Sequence, residues 1–374
     1  MKLLNYRIPT HSEDWYLFRT KGLTAAEAKA YKMPAYEGGI GGSEVGAIMG
    51  LSPYISSLEI FYHKIGYTKP RSMPSEAAMW GIIHEDNIKK AWSHYTGDED
   101  YINNVLTKTK IRKCTNRTGY FINSEIPFLF ASPDGIINKN QVRLDTGEIN
   151  PKNGVLECKS INSREVAKWE SGVPEYYKYQ ILQYLAVFGL DYAEIAMLVD
   201  GSKLQVFPLE YTNEDKDRLF ELAYEFWYKR VIPGRQAYEL MMQGLYHNDK
   251  DVEEEGLGLI HSLEPEPDSS LPYEQFMKEI AIRDVMSVDC TEDEEFKKIV
   301  TELAATKTLG KAVGTYEQLL KNQAIKKLHD LKTEKADFGD IGYARLYERS
   351  NGTVVFDLRV KNENDYTEQI KTIL

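Results

Sequence analysis

The sequence predicts an α/β (α+β) protein: a mixed central sheet flanked by helices, followed by a C-terminal helical extension that ends in a β-hairpin. Three observations predict it. Strand-like runs ("FLFAS", "VLECKSI", "AEIAMLVDG", "KLQVFPLEY") are interleaved with amphipathic helical stretches through the first 232 residues, as in a mixed sheet covered by helices. Beyond Pro233-Gly234 helical periodicity takes over, at about 273–285, 291–307 and 313–334. Near the end, "GYARLYERSNGTVVFDLRV" sets Asn351-Gly352 between two strand-like runs, a strong hairpin signal.

Taken in order, "SSLEIFYHKIG" and "SEAAMWGIIHEDNIKKAWSHYTG" read as helices that close at Gly66 and Gly97, since glycine readily adopts the left-handed conformation after a helix. "PEYYKYQILQYLAVFGL" is a helix set among the strands, and "NEDKDRLFELAYEFWYKRVI" is a further amphipathic one. "NDKDVEEEGLGLIHSLEPEPDSSLP" is acidic and turn-rich, the composition of a linker or mobile loop. The expected division is a domain over 1–232 and an extension over 233–374. No internal repeat is present.

With 374 residues, 42% hydrophobic and 28% charged, the chain suits one large domain or two ordinary ones. No run of about 18 apolar residues exists, which argues against a membrane-spanning helix. The start, "MKLLNYRIPTHSEDW", lacks the apolar stretch of a secretory signal. Cys114, Cys158 and Cys290 lie far apart, giving no disulfide framework, no CxxC zinc pattern and too few thiolates for an iron–sulfur cluster. These readings predict a cytoplasmic protein. A formal net charge of −11 argues against nucleic-acid binding by bulk attraction, though not against a basic groove. It also suits several carboxylates around a divalent cation.

"GVLECKSIN" places an acid and a base two positions apart in an apolar run. On a strand, Glu157 and Lys159 point to one face, Leu156 and Cys158 to the other. On the helix around residues 77–95, Ala78, Gly81, Ile82, Ile88 and Trp92 fall on one stripe with Glu85 in its middle. Asp134 ends the strand of "FLFASPDGIIN" in a turn sequence. A hairpin joining that strand to "VLECKSI" would bring Asp134 close to Glu157 and Lys159, across the long polar connection "NKNQVRLDTGEINPKNG".

Acids gathered at one point repel each other unless a cation lies between them, and hard oxygen ligands of this kind suit Mg²⁺. Such an ion polarises a phosphoryl oxygen and lowers the pKa of a bound water; a nearby lysine orients that water or offsets developing charge. In "GGIGGSEVG", Gly38, Gly39, Gly41 and Gly42 allow close approach to a ligand, and Ser43 stands where a helix begins. Each residue also has a plain structural reading: Glu85 as a snorkelling carboxylate, Asp134 as a turn former, Glu157–Lys159 as a cross-strand ion pair, Ser43 as a helix cap.

Pro133-Asp134 followed by Glu157-Cys158-Lys159 resembles the signature of the PD-(D/E)XK nuclease superfamily, whose core is restriction-endonuclease-like. The flanking motifs, "GIGGSEVGAIMGLSPYISSLEIFYHKIG", "WGIIHEDNI" and "YYKYQILQYLAVFGLDYAEIAMLVDG", resemble in order those of the YqaJ-like viral recombinases, the group that includes phage lambda exonuclease. The resemblance spans about residues 10–210.

It implies Asp134, Glu157 and the main-chain carbonyl of Cys158 as metal ligands, with Glu85 a further site carboxylate. Lys159 would position the attacking water, and Gln180 is a site residue on the next helix. Ser43 and Arg19 would bind a DNA 5′ phosphate. The inserted "LTAAEAKAYKMPAYEGG" leaves Lys21 as an alternative to Arg19.

The implied protein is a Mg²⁺-dependent deoxyribonuclease, with Mn²⁺ as a substitute and two ions per site. It would digest linear duplex DNA 5′→3′ and leave 3′ overhangs for a single-strand annealing recombination protein. The resemblance also implies a phage- or prophage-encoded protein in a prokaryotic cytoplasm and a homo-oligomer, a trimer by analogy. The alternatives are an endonuclease or defence nuclease on the same core and, less favoured, a non-catalytic DNA-end-binding module. His84 in "GIIHE" matches a ligand of the CRISPR-associated iron–sulfur exonucleases, but the cysteines they need are missing.

Overall fold

The computed structural model describes the chain apart from residues 1, 9–11, 23, 25, 27–28, 30–35, 70–75, 98–100, 117–118, 281–292, 331–333, 338–341, 350–353 and 361–374. It divides into two compact units, Met1–Ala281 and Ile282–Leu374. In chain order the first unit contains β1 (Leu3–Tyr6), α1 (Glu13–Thr20), β2 (Ile40–Gly41), α2 (Gly42–Ile48), α3 (Ser57–Ile65), α4 (Glu76–Trp92) and α5 (Tyr101–Leu106). Then come β3 (Cys114–Asn116), β4 (Tyr120–Asn123), β5 (Leu129–Ala131), β6 (Gly135–Ile137), β7 (Gln141–Val142), β8 (Ile149–Asn150) and β9 (Gly154–Ile161). A 3₁₀ segment (Ser163–Trp169) leads to α6 (Glu175–Phe188), β10 (Tyr192–Val199), β11 (Lys203–Glu210) and α7 (Asn213–Tyr224). A π-helical stretch (Glu225–Val231) runs on into α8 (Ile232–His247), α9 (Lys250–Ser262) and α10 (Leu271–Ile280).

Among the described residues the larger sheet has five strands in the order β11-β10-β9-β6-β3. It is mixed, because β9 and β10 run parallel while β10–β11, β6–β9 and β3–β6 are antiparallel. A four-stranded sheet, β1-β4-β5-β2, lies beside it. Helix α6 ties the two together. Its Ile181 and Leu185 share a buried cluster with Val155 of β9 and Leu129 of β5, and Gln183 Nε2 donates to the carbonyls of Ile40 (2.7 Å) and Phe130 (2.8 Å). On the opposite face of the larger sheet, Ile88 and Trp92 of α4 pack with Leu156, Cys158 and Ala196. Helices α4 and α6 therefore cover opposite faces of β9, as its period-two alternation requires. Among the described residues no helix is long and apolar enough to cross a membrane.

The expected boundary after residue 232 falls inside continuous helix. Pro233 lies in the first turn of α8, directly after the π-helical stretch Glu225–Val231. Gly234 packs so closely that an added Cβ would lie 2.8 Å from Ile65 Cγ2. The acidic stretch expected as a linker is largely α9, laid against α8. Gly244 and Gly256 permit this contact: a Cβ on either would lie 2.3 Å from Glu253 N or 2.4 Å from Met241 N. Those glycines mark close helix packing, so the helical core reaches α10, whose Phe276 ring packs against Tyr62.

The second unit holds a long helix, α11 (Glu294–Asp330), and an antiparallel sheet of β12 (Lys335–Asp337), β13 (Gly342–Glu348) and β14 (Val354–Val360). The pairing of Glu348 with Val354 bears out the hairpin, although Asn351-Gly352 itself lies outside the described residues, as does Cys290.

Candidate active site

Strand β9 brings the expected residues together. Its antiparallel pairing with β6 sets Gly135 opposite Leu156 and Ile136 opposite Val155, which carries Asp134 to the same end as Glu157 and Cys158. The partner strand is therefore Gly135–Ile137, beyond Asp134, whereas "FLFAS" joins the other sheet as β5. The intervening polar segment extends the hairpin through β7 and β8. Asp134 Oδ2 accepts the Cys158 backbone N–H at 2.6 Å.

Glu157 is buried, and its Oε1 is heavily used. It accepts from Lys159 Nζ at 2.8 Å and from Gln180 Nε2 at 2.7 Å. Lys159 Nζ also donates to Gln180 Oε1 at 3.3 Å, and Gln180 Nε2 to the Tyr184 hydroxyl at 2.9 Å. Gln180 and Tyr184, one helical turn apart on α6, thus continue the network away from the strand. Glu157 Oε2, by contrast, is buried without a hydrogen-bond partner.

The charges are unbalanced. Burial, then repulsion from Glu157 and Glu85, pushes the Asp134 carboxyl well above its usual range. Burial and Glu157 raise Glu85 as well, with Lys89 and Lys159 opposing. Burial would lower the Lys159 ammonium, but Glu157 and Asp134 outweigh it and hold its pKa above the ordinary value. Lys89 was not anticipated from sequence; it pairs with Asp86 at 3.0 Å and reaches the Asp134 carbonyl at 3.5 Å.

The residues fit a hard divalent cation. The orphaned buried oxygen of Glu157 stands near Asp134 and Glu85, whose pKa values Glu157 raises, an arrangement that a divalent cation would offset. Among the described residues no three His, Cys, Asp or Glu side chains form a metal cage by themselves. A bound ion would complete its shell with main-chain oxygen and water, as Mg²⁺ commonly does.

The apolar stripe proposed for α4 is only half buried: Ile88 and Trp92 are at 0% exposure, while Ile82 is 51% exposed. The first two turns of the helix, residues 76–83, are mostly exposed. Glu85 sits where buried meets exposed, close enough to feel Glu157 and Lys159.

A second charged cluster forms around the start of α2. Arg19 Nη2 pairs with Glu44 Oε1 at 3.0 Å, and Lys64 Nζ with Glu44 Oε2 at 2.8 Å. Lys64, 1% exposed, also donates to the carbonyls of Arg19 (2.6 Å) and Gly39 (2.7 Å). The Arg19 guanidinium lies over the Trp15 ring, 4.7 Å from its centroid. Burial opposes ionisation of Glu44, but Arg19, Lys64 and the Gly41 amide outweigh it and hold the carboxyl at about 2. Burial brings Lys64 down to about 8. Ser43 does not cap α2: the cap position is Gly41, whose N–H donates to Glu44 Oε2 at 2.7 Å, and Ser43 is exposed in the first turn. Lys21 lines a separate 620 Å³ cavity with Tyr238 and Met242, so of the two candidates only Arg19 joins this cluster.

Tyr184 connects the clusters. Its hydroxyl accepts from Gln180, and its ring packs so tightly on α2 that a Cβ on Gly42 would lie 2.4 Å from Cε1. Glu44, Lys64 and Tyr184 were missed in the sequence. The one usable signal was the run of glycines around Ser43, which allows a bulky ring this close.

Residues 14–191 match the family model described as the YqaJ-like viral recombinase domain. The uncharacterized protein YqaJ of Bacillus subtilis (strain 168) is 28% identical over 200 residues, 53% of this chain and 54% of that protein. The chain thus spans about half the length of the curated relative it matches. Among solved structures, the alkaline exonuclease LHK-Exo of Laribacter hongkongensis is similar, with a TM-score of 0.39 and 15% identity, covering 55% of this chain and 94% of that one. A phage related exonuclease from Haemophilus somnus 129PT gives a TM-score of 0.31 and 11% identity, covering 50% and 90%.

Proposed function

Because residues 14–191 belong to the YqaJ-like viral recombinase family, we propose that the protein is a metal-dependent deoxyribonuclease, a Mg²⁺-requiring exonuclease that digests linear duplex DNA 5′→3′ and leaves 3′ overhangs. The observation that carries this reading is Glu157: a buried carboxylate with one oxygen bound by Lys159 and Gln180 and the other without a partner.

Asp134, Glu157 and the Cys158 carbonyl would hold the ion, with Glu85 adding negative charge nearby. When bound, the ion would polarise a phosphoryl oxygen and make water a better nucleophile. Water attacks phosphorus, the P–O3′ bond breaks, a proton from the water ends on O3′, and the terminal nucleotide leaves with a 3′ hydroxyl while the shortened strand keeps the phosphate on its new 5′ end. Lys159, kept charged and fixed by two acceptors, orients the attacking water and stabilises charge on the phosphoryl oxygens. Gln180 fixes the lysine. Arg19, fixed by Glu44, would take the 5′ phosphate with Ser43 at its side, so a chain of net charge −11 can select a DNA end without a basic exterior. A single-strand annealing protein would use the product.

The test is incubation with 5′-phosphorylated linear duplex and with closed circular duplex, in Mg²⁺, Ca²⁺ or EDTA. Shortening of the 5′-ended strands of linear DNA in Mg²⁺ alone is expected. Cutting of closed circles would replace the exonuclease with an endonuclease, and no cutting under any condition would remove the enzyme.

A further inference from the structure

Beside Lys159 lies a column of aromatic rings that the hydrolytic site does not use. The Lys159 ammonium rests 4.7 Å from the centroid of the Tyr177 ring. Tyr177 is flanked by Trp169 at 5.5 Å and Tyr176 at 4.2 Å, and Tyr54 meets Tyr176 edge-on at 6.0 Å. Among these rings Tyr176 and Tyr177 are tilted at 49° to each other, and Tyr54 stands at 86° to Tyr176. Gly46 fixes the column to α2, since a Cβ there would lie 2.8 Å from Tyr176 Cβ.

The inner rings are partly buried, but Tyr54 is 66% exposed. An exposed large ring is ordinarily unremarkable. This one meets Tyr176 edge-on at the outer end of a series of ring contacts that begins at the Lys159 ammonium, and Lys168 stands close by. A fixed aromatic face with cations around it is how proteins hold single-stranded nucleic acid without regard to sequence.

We propose that Tyr54 is a nucleobase-stacking subsite, receiving a base of the strand whose phosphodiester lies at Lys159. The inference rests on the nuclease reading and adds to it a contact with the base, where the charged clusters contact only phosphate. Stacking there would fix the strand's register, with the rings of Tyr177 and Tyr176 between the base and the ammonium. The face of the ring does the binding, not its hydroxyl.

The experiment measures binding without hydrolysis: fluorescence anisotropy, in EDTA, of a short 3′-labelled single-stranded oligodeoxynucleotide with a 5′ phosphate, against the same chain with its first nucleotides abasic. Tyr54→Ala should weaken binding of the intact oligonucleotide about ten-fold, and Tyr54→Phe by no more than about two-fold. The abasic chain should bind the wild type and Tyr54→Ala alike. Unchanged affinity in Tyr54→Ala, or an equal loss on intact and abasic chains, would overturn the subsite while leaving the nuclease standing. A wild type that binds neither chain, and cuts no duplex in Mg²⁺, would bring down both.

Discussion

The Glu157 cluster gathers three carboxylates around one directly paired ammonium, whereas the Arg19 cluster has two cations sharing one carboxylate. In the first, Glu157 raises the pKa of both Asp134 and Glu85, and one of its own oxygens is left without a partner. In the second, Glu44 is held down at about 2 and every Lys64 bond points to an acceptor within the fold. One cluster is short of positive charge and the other carries an excess of it. They call for opposite ligands, a cation and an anion, and a metal-dependent enzyme acting on a phosphorylated DNA end needs both.

The largest expected effect lies in the carboxylate cluster. Asp134→Ala, Glu157→Ala and Lys159→Ala should each lower kcat/KM for Mg²⁺-dependent hydrolysis by at least about 10³-fold, and the double variants should lose little more, because the groups act as a unit. Additive losses in steady-state assays would mean that they work independently. Glu85→Gln, nearly isosteric, should also lower activity strongly with little change in melting temperature. A melting temperature that collapses while activity persists would return Glu85 to a structural role.

In the cationic cluster the expected loss is one of preference. Arg19→Ala should abolish the faster digestion of 5′-phosphorylated over 5′-hydroxyl duplex, a ratio of about ten- to hundred-fold for a charge-assisted contact. The rate on hydroxyl ends should hardly change. Glu44→Gln should reduce the same ratio in part, because the guanidinium loses its anchor but not its charge. Equal wild-type rates on both ends would leave this cluster as a packing device.

Stability should separate the clusters by sign. The Glu44 pKa falls from 4.5 unfolded to about 2 folded, so its contribution is complete above the unfolded value and is lost as pH drops toward 2. At neutral pH that is on the order of 3 kcal/mol. Glu44→Gln should therefore lower the melting temperature in neutral buffer and flatten its decline in acid. Asp134→Asn removes a repelling charge yet keeps an acceptor for the Cys158 amide, so in EDTA it should leave the melting temperature equal or higher. Adding Mg²⁺ should raise it for wild type and not for Asp134→Asn. Two variants shifted in the same direction would contradict the opposite electrostatics.

The carboxylate cluster was legible in the sequence because it is local. A period of two fixes the faces of Glu157 and Lys159; Asp134 reads as the end of the "FLFAS" strand, whereas the strand that places it is the one after the turn, β6. What was misread depended on distant packing. "FLFAS" pairs with β4 and β2, a choice no local pattern records. Gly234, Gly244 and Gly256 look like breaks but are contact points between helices. Lys64 drew no reading in the sequence; its burial depends on the carbonyls of Arg19 and Gly39, which only the tertiary fold delivers. Ser43 drew notice as a hydroxyl at a helix start, while the adjacent Glu44 makes the bonds.

The smallest expected effect tests whether the clusters communicate through Tyr184. Tyr184→Phe keeps the ring against Gly42 and removes only the hydroxyl that accepts from Gln180. One buried Gln180 N–H then lacks a partner, a loss of about 1–3 kcal/mol in stability. Gln180 would still donate to Glu157 and accept from Lys159, so the lysine should loosen without being lost. The expected result is a fall of a few-fold in kcat, equal on 5′-phosphate and 5′-hydroxyl ends, because the Arg19 side sees the same ring. Steady-state rates on the two substrates decide it. If the end preference falls along with kcat, the hydroxyl couples the clusters, and anion binding at one side is felt by the lysine at the other.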